Sequence, residues 1–171
     1  MQHSHCSYCG AAYAADQPWP RACATCGETT WRNPLPVAVA LLPVDTGEGR
    51  GIVVVRRDIQ PQRGKLGLPG GFIEHGEAWR AGAVRELLEE TTITADPAQV
   101  TLFDVHSAPS GTLLVFGLLP PRPLADLPAS VATDESTGFE VVLGPRELAF
   151  STHTQVLKDY FERAKERASG R

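Results

Sequence analysis

No stretch of the sequence approaches the roughly 18 consecutive apolar residues that a membrane-crossing helix needs, so a spanning segment of that kind is excluded. Positive charge is not in surplus either: 16 Lys and Arg stand against 20 Asp and Glu, a formal net charge of −4. That balance argues against a nucleic-acid backbone as the main partner. It leaves a small anionic substrate open, because such a ligand needs only a local positive patch. The opening residues Met1-Gln2-His3-Ser4-His5-Cys6 lack the charged and apolar regions of a secretory signal, so a cytoplasmic location is expected. There is no internal repeat and no low-complexity tract. With 171 residues, 42% hydrophobic and 21% charged, the chain has the make-up of one globular domain with a small appendage.

Cysteine is missing from everything after residue 26. All four lie within the first 26 residues, as Cys6-x-x-Cys9 and Cys23-x-x-Cys26 with 13 residues between the pairs. Two disulfides would need an oxidising compartment, whereas two CxxC pairs form the usual tetrahedral thiolate site for structural Zn²⁺. Gly10 and Gly27 follow the second cysteine of each pair, where tight turns are expected. Large aliphatic residues are also scarce over residues 1–30, so this part is expected to fold around its metal. The prolines of Trp31-Arg32-Asn33-Pro34-Leu35-Pro36 read as a linker. The expected domains are a zinc ribbon over 1–32 and a second domain over 33–171.

In the second domain, strand signals cover Val37–Val44, Gly51–Arg57, Val100–His106, Thr112–Leu119 and Phe139–Leu143. Residues 58–76 are rich in Gly and Pro and read as a loop. Helical patterns cover about 78–91 and 152–168, the second with apolar Val156, Leu157, Tyr160, Phe161 and Ala164 at helical spacing. The class expected is α+β.

On a wheel of residues 78–91, Ala81, Val84, Leu87 and Leu88 define the face expected to pack on a sheet. Glu86, Glu89 and Glu90 share the opposite face, with Arg85 one turn before Glu89. An acidic solvated face is common on helices. Here, however, the like charges repel by roughly 0.2–0.5 kcal/mol per pair. Glu89 and Glu90 also stand near the helix C-terminus, where the dipole disfavours anions. Carboxylates gathered against local electrostatics point to a hard divalent cation, Mg²⁺ or Mn²⁺.

Gly71, five residues, Glu77, seven residues and then Arg85-Glu86-Leu87-Leu88-Glu89-Glu90-Thr91-Thr92-Ile93 resembles the Nudix box. The match runs over 23 residues and includes every charged position of the motif. Leu68-Pro69-Gly70-Gly71 resembles the family's entry to the box, and a zinc ribbon followed by Asn33-Pro34 is similar to a ribbon-bearing subgroup. The resemblance implies a Nudix-type α/β/α sandwich with a mixed sheet behind the ribbon. It implies metal-dependent hydrolysis of a diphosphate linkage in a small-molecule nucleoside diphosphate derivative, and commonly a homodimer. One position departs: the box glycine is Thr92. Either the helix exit is rebuilt without a left-handed residue, or the helix end is strained.

The same resemblance assigns Glu86, Glu89 and Glu90 to the metal, with the Gly70 carbonyl as a further ligand. Glu86 is alternatively the base, Arg85 orients the cluster, and Glu77 supports it. A late-loop glutamate is expected to join them, Glu135 first and Glu140 behind it. Gly71, Arg57 and Lys65, with Arg56 and Arg63 nearby, are candidates to meet substrate phosphates. Phe103, His106 and Phe116 are candidates for a base pocket. The element SQPWPFPxS that marks NADH specificity is absent after the box. Gln17-Pro18-Trp19-Pro20 resembles part of it only before the box, so ADP-ribose or FAD is the preferred substrate. The competing reading is a non-catalytic module that senses a nucleotide while the ribbon binds a partner.

Overall fold

The structure, a computed structural model, describes residues 3–169. It divides into two compact units, the first ending at Pro34 and the second beginning at Leu35, where the sequence placed the break after Arg32. In the first unit, β1 (Arg21–Ala22) pairs antiparallel with β2 (Thr29–Thr30). The two cysteine turns repeat one hydrogen-bond pattern. Cys6 N–H donates to Ala11 O and Gly10 N–H to Cys6 O; Cys23 N–H donates to Glu28 O and Gly27 N–H to Cys23 O. Gly10 and Gly27 hold φ of 76° and 79°, a left-handed conformation that glycine adopts without steric cost.

The second unit runs β3 (Leu35–Leu41), β4 (Pro43–Thr46), β5 (Gly49–Arg57), β6 (Leu66–Gly67), β7 (Gly70–Phe72), α1 (Trp79–Thr91), β8 (Thr101–Ser107), β9 (Thr112–Leu118), β10 (Arg122–Pro123), β11 (Ser136–Val142) and α2 (Ser151–Ser169). One sheet has the order β7-β3-β9-β8, the other β10-β4-β5-β11 with β6 also paired to β5. Both are mixed, with β3 parallel to β9 and β10 parallel to β4.

The strands are apolar at successive positions because both faces are covered. Val39, Leu41, Ile52 and Val54 pack with Val156, Leu157, Tyr160 and Phe161 of α2. The alternate residues Ala40, Leu42, Val44 and Val53 pack with Leu87 of α1 and with Ile93. This gives the α/β/α layering. Leu87 is wholly buried, and truncating such a leucine to alanine costs about 2–5 kcal/mol. No described helix is long and apolar enough to cross a membrane.

Two expectations need correction. Residues 58–76 are not all loop, because β6 and β7 lie within them; Gly70 joins the sheet since a Cβ there would fall 2.6 Å from Ala38 O. The packing face of α1 is also different. Leu88 is 43% exposed, while Gly82, Ala83, Leu87, Glu86 and Glu90 are buried. The helix turns Glu86 and Glu90 inward, toward the glycines of β7, and leaves Glu89 exposed.

Candidate active site

The site begins with α1. Its middle, Ala81 through Glu90, contains mostly strong helix formers, so the chain coils here despite three clustered carboxylates. Arg85 offsets much of that repulsion. Its Nε donates to Glu77 Oε1 at 2.9 Å and its Nη2 to Glu77 Oε2 at 3.0 Å. Nη1 reaches Glu86 Oε1 at 2.7 Å and Glu89 Oε2 at 3.1 Å, and Nη2 also donates to Phe72 O at 3.0 Å. All five guanidinium N–H donors are thereby used, and Arg85 fixes β7, the helix entry and the acidic face together. Hydrogen bonds from Arg85 hold the Glu77 carboxyl below its ordinary value. Glu77 also accepts from Glu74 N–H at 3.0 Å.

Gly71 explains why Glu86 can be buried. A Cβ at Gly71 would lie 2.4–2.5 Å from the Glu86 carboxyl atoms, so the acid occupies the space of the missing side chain. Burial raises the Glu86 pKa, and the bond to Arg85 opposes the rise only in part. Glu90 is 4% exposed, and its Oε2 has no hydrogen-bond partner. Burial, followed by the charges of Glu86 and Glu135, pushes its pKa up to about 8. A buried carboxylate oxygen without a partner is costly; a divalent cation shared with Glu86 and Glu89 would remove that cost. Oxygen donors of this kind suit Mg²⁺ or Mn²⁺.

Glu86, Glu89, Glu90, Thr133, Asp134 and Glu135 line a cleft of about 380 Å³. The turn that presents Glu135 is tied from several sides. Thr133 Oγ1 accepts from the N–H groups of Glu135 and Ser136, and Asp58 N–H donates to Glu135 O. Ser136 Oγ donates to Glu90 O at 2.8 Å, joining this turn to the end of α1. Glu140 instead lies on β11 and pairs with Arg56 at 3.3 Å. Among the described residues, the late-loop carboxylates that line the cleft are Asp134 and Glu135, and Glu140 is not one of them.

The basic residues are less concentrated than the sequence implied. Arg57 donates to Pro61 O and stacks 5.1 Å from the Phe150 ring. Its charge opposes the rise at Glu90. Arg63 pairs with Asp58, and Lys65 is exposed. Neither Arg57 nor Lys65 lines the cleft itself. Phe116 is wholly buried core, edge-on to His106 and His153.

Thr92 caps α1 with φ 62° and ψ 8°, and its N–H donates to Leu88 O at 2.8 Å. Of the two outcomes left open, the strained left-handed exit is the one present. Thr91 Oγ1 binds Leu87 O and accepts from Ile93 N–H, bracing that exit.

Sequence reasoning missed Thr133, Ser136 and His153. The run Thr133-Asp134-Glu135-Ser136 carried a turn signal in its Thr and Ser. His153 gave none. It lies buried on α2 and accepts from Leu68 N–H at 3.2 Å through Nδ1, which anchors the segment that supplies Gly70 and Gly71. Burial, and then Arg57, pushes its pKa down to about 3, so it serves as a neutral acceptor.

In the first unit, the four cysteine sulfurs lie within 4.8 Å of one another. Cys6 and Cys26 are 3.7 Å apart, Cys9 and Cys23 3.6 Å. A tetrahedron with Zn–S bonds of about 2.3 Å has edges of about 3.8 Å, so the donor set fits that ion. The amides of Cys9 and Tyr8 hold the Cys6 thiol down to about 6.

The profile of the NUDIX domain matches residues 34–163, and the chain belongs to the Nudix family. A curated ADP-ribose pyrophosphatase of Methanocaldococcus jannaschii is 32% identical over 113 residues, 64% of this chain and 64% of that protein. The NAD-capped RNA hydrolase NudC of Edwardsiella ictaluri is 28% identical over 94 residues, 54% of this chain and 35% of that protein. The chain therefore spans less than two thirds of either relative. A crystal structure of a NUDIX hydrolase from Nitrosomonas europaea superimposes with a TM-score of 0.72 at 26% identity, covering 95% of this chain and 93% of that one.

Proposed function

We propose that the second unit is a metal-dependent pyrophosphohydrolase that cleaves the diphosphate linkage of a nucleoside diphosphate derivative, with ADP-ribose the preferred substrate. The observation that carries this reading is the buried Glu90 carboxylate beside Glu86, with its Oε2 unpartnered, in a cleft that Glu89 and Glu135 also line. Glu86, Glu89 and Glu90 hold Mg²⁺ or Mn²⁺, with the Gly70 carbonyl as a further donor. When bound, the metal offsets the charge that develops on the phosphate oxygens. Water attacks one phosphorus, and its proton passes to a carboxylate of the cleft. Glu86 is alternatively that base, in which case Glu89 and Glu90 hold the metal. Glu135, on the braced Thr133–Ser136 turn, is a further cleft carboxylate that could take that proton. Arg85 is a positioning residue: it keeps Glu86 and Glu89 in one geometry and touches no substrate. Arg57 and Lys65, on the strand and loop before the box, are assigned to the outer phosphate, and Gly71 serves the site by leaving room for the Glu86 carboxylate rather than for the substrate.

ADP-ribose is favoured because the archaeal relative carries that activity in its name and its matched stretch is 32% identical. FAD remains the next choice. In the first unit the four thiolates hold one structural Zn²⁺. The test of substrate is a panel of ADP-ribose, FAD, NADH, diadenosine polyphosphates and nucleoside triphosphates, assayed with Mg²⁺ and with Mn²⁺. ADP-ribose should give the highest kcat/KM. A higher value on another member reassigns the substrate, and turnover on none of them favours the sensing module.

A further inference from the structure

A second cavity, of about 720 Å³, opens between β8, the end of β9 and the later turns of α2, with Arg50 at its edge. It lies far from the carboxylates. Arg50 is near the start of β5 and Arg57 at its end, seven residues on, which places them roughly 23 Å apart. Arg57 is the one opposite Ser136, next to Glu135.

Tyr160 lines this cavity and is only 8% exposed. Its hydroxyl has no hydrogen-bond partner among the described residues, yet it is not sealed off from the cavity. A tyrosine hydroxyl this enclosed ordinarily finds a protein partner; this one opens only on the cavity, where a ligand can replace the solvent that serves it. Arg50 and Arg167 are close enough to act on the phenol, both opposing the rise in pKa that burial causes. Asp45 binds Arg50 through Nε at 2.6 Å and Nη2 at 3.1 Å, which orients the guanidinium and leaves three of its five donors unspent. Arg167 makes no ion pair among the described residues. Arg163 lies 4.4 Å over the Phe103 ring and makes only long contacts, 3.5 Å to Phe103 O and 3.4 Å to Asp104 Oδ2. Leu102, 56% exposed, and Leu118 supply an apolar wall.

We propose that this groove binds a phosphomonoester carrying an aromatic base. The phosphate would accept from the Tyr160 hydroxyl and from Arg50 and Arg167, and the base would lie against Leu102 and the Phe103 edge. Several guanidinium donors converging with a hydroxyl match a phosphate, whose oxygens accept from many directions, better than a planar carboxylate. The cavity volume falls within the ~300–1,000 Å³ of small-molecule sites. The inference stands whether or not the carboxylate cleft hydrolyses anything.

Calorimetric titration of the full chain, with no added divalent metal, tests it with adenosine monophosphate, inorganic phosphate and adenosine as probes. Adenosine monophosphate should bind at one site, with phosphate and adenosine each at least tenfold weaker. Arg167→Ala should weaken binding at least tenfold and Tyr160→Phe at least threefold, while Glu135→Gln binds as wild type does. Tyr160→Phe keeps the ring, so an unchanged thermal melt separates lost binding from lost folding. Absence of binding, wild-type affinity in both groove variants, loss in Glu135→Gln, or equal affinity for the three probes overturns the proposal.

Discussion

Replacing Glu90 with Gln should stabilise the metal-free protein at high pH while removing its activity. Glu90 is 4% exposed with one orphaned oxygen, and its pKa is pushed from 4.5 to about 8, first by burial and then by Glu86 and Glu135. The folded-state value lies above the unfolded one. The stability associated with the protonated acid is therefore fully present below about pH 4.5 and is lost as pH rises through about 8. At ~1.4 kcal/mol per pKa unit, a rise of this size sets a ceiling of about 5 kcal/mol. Water entering the open cleft lowers that ceiling, and a loss of about 2 kcal/mol is expected between pH 5 and pH 9. Gln cannot ionise, so urea denaturation without added divalent metal should show the two proteins alike at pH 5 and the variant ahead at pH 9. Saturating Mg²⁺ should return about 2.7 kcal/mol to wild type at 100 times its dissociation constant and much less to the variant. A stability difference that does not change with pH, or a variant less stable at pH 9, would refute the reasoning.

Gly71→Ala should displace the Glu86 carboxylate, because the new Cβ would fall within 2.5 Å of it. The expected result is a fall in kcat of at least tenfold with the fold retained by circular dichroism. Thr92→Gly should relieve the left-handed strain at φ 62°. Net of glycine's extra unfolded-state freedom this gives about 1 kcal/mol, or about 2–4 °C in Tm, measured by thermal melting. Elemental analysis should find one zinc per chain, and Cys23→Ser should lower that content while thiol titration shows the remaining cysteines becoming reactive.

The spacing of the box, the two cysteine pairs and the main strands were legible because each depends on local pattern: motif offsets, CxxC turns and β-branched runs. The orientation of α1 was not. A helical wheel sorts residues by polarity and sends Glu86 outward. What sends it inward is the absence of a side chain at Gly71 and the grip of Arg85, a tertiary arrangement that no periodicity records. β7 was hidden for a related reason. Pro69-Gly70-Gly71 reads as loop in isolation, yet only glycine can approach Ala38 and Val39 so closely. His153 and the Tyr160 groove combine residues from distant segments, so neither leaves a trace in any single window. Thr92 marked a conflict correctly, but only the backbone angles decided between the two ways of resolving it.

The central claim is that Glu90 and its neighbours form a metal-dependent hydrolytic centre. Its most direct test is the rate at which ADP-ribose is split into AMP and ribose 5-phosphate, measured with and without Mg²⁺ for wild type and Glu90→Gln in parallel. The account predicts Mg²⁺-dependent turnover by wild type and a loss of at least a hundredfold in the folded variant. Turnover that persists in Glu90→Gln, or that is indifferent to Mg²⁺, would contradict it.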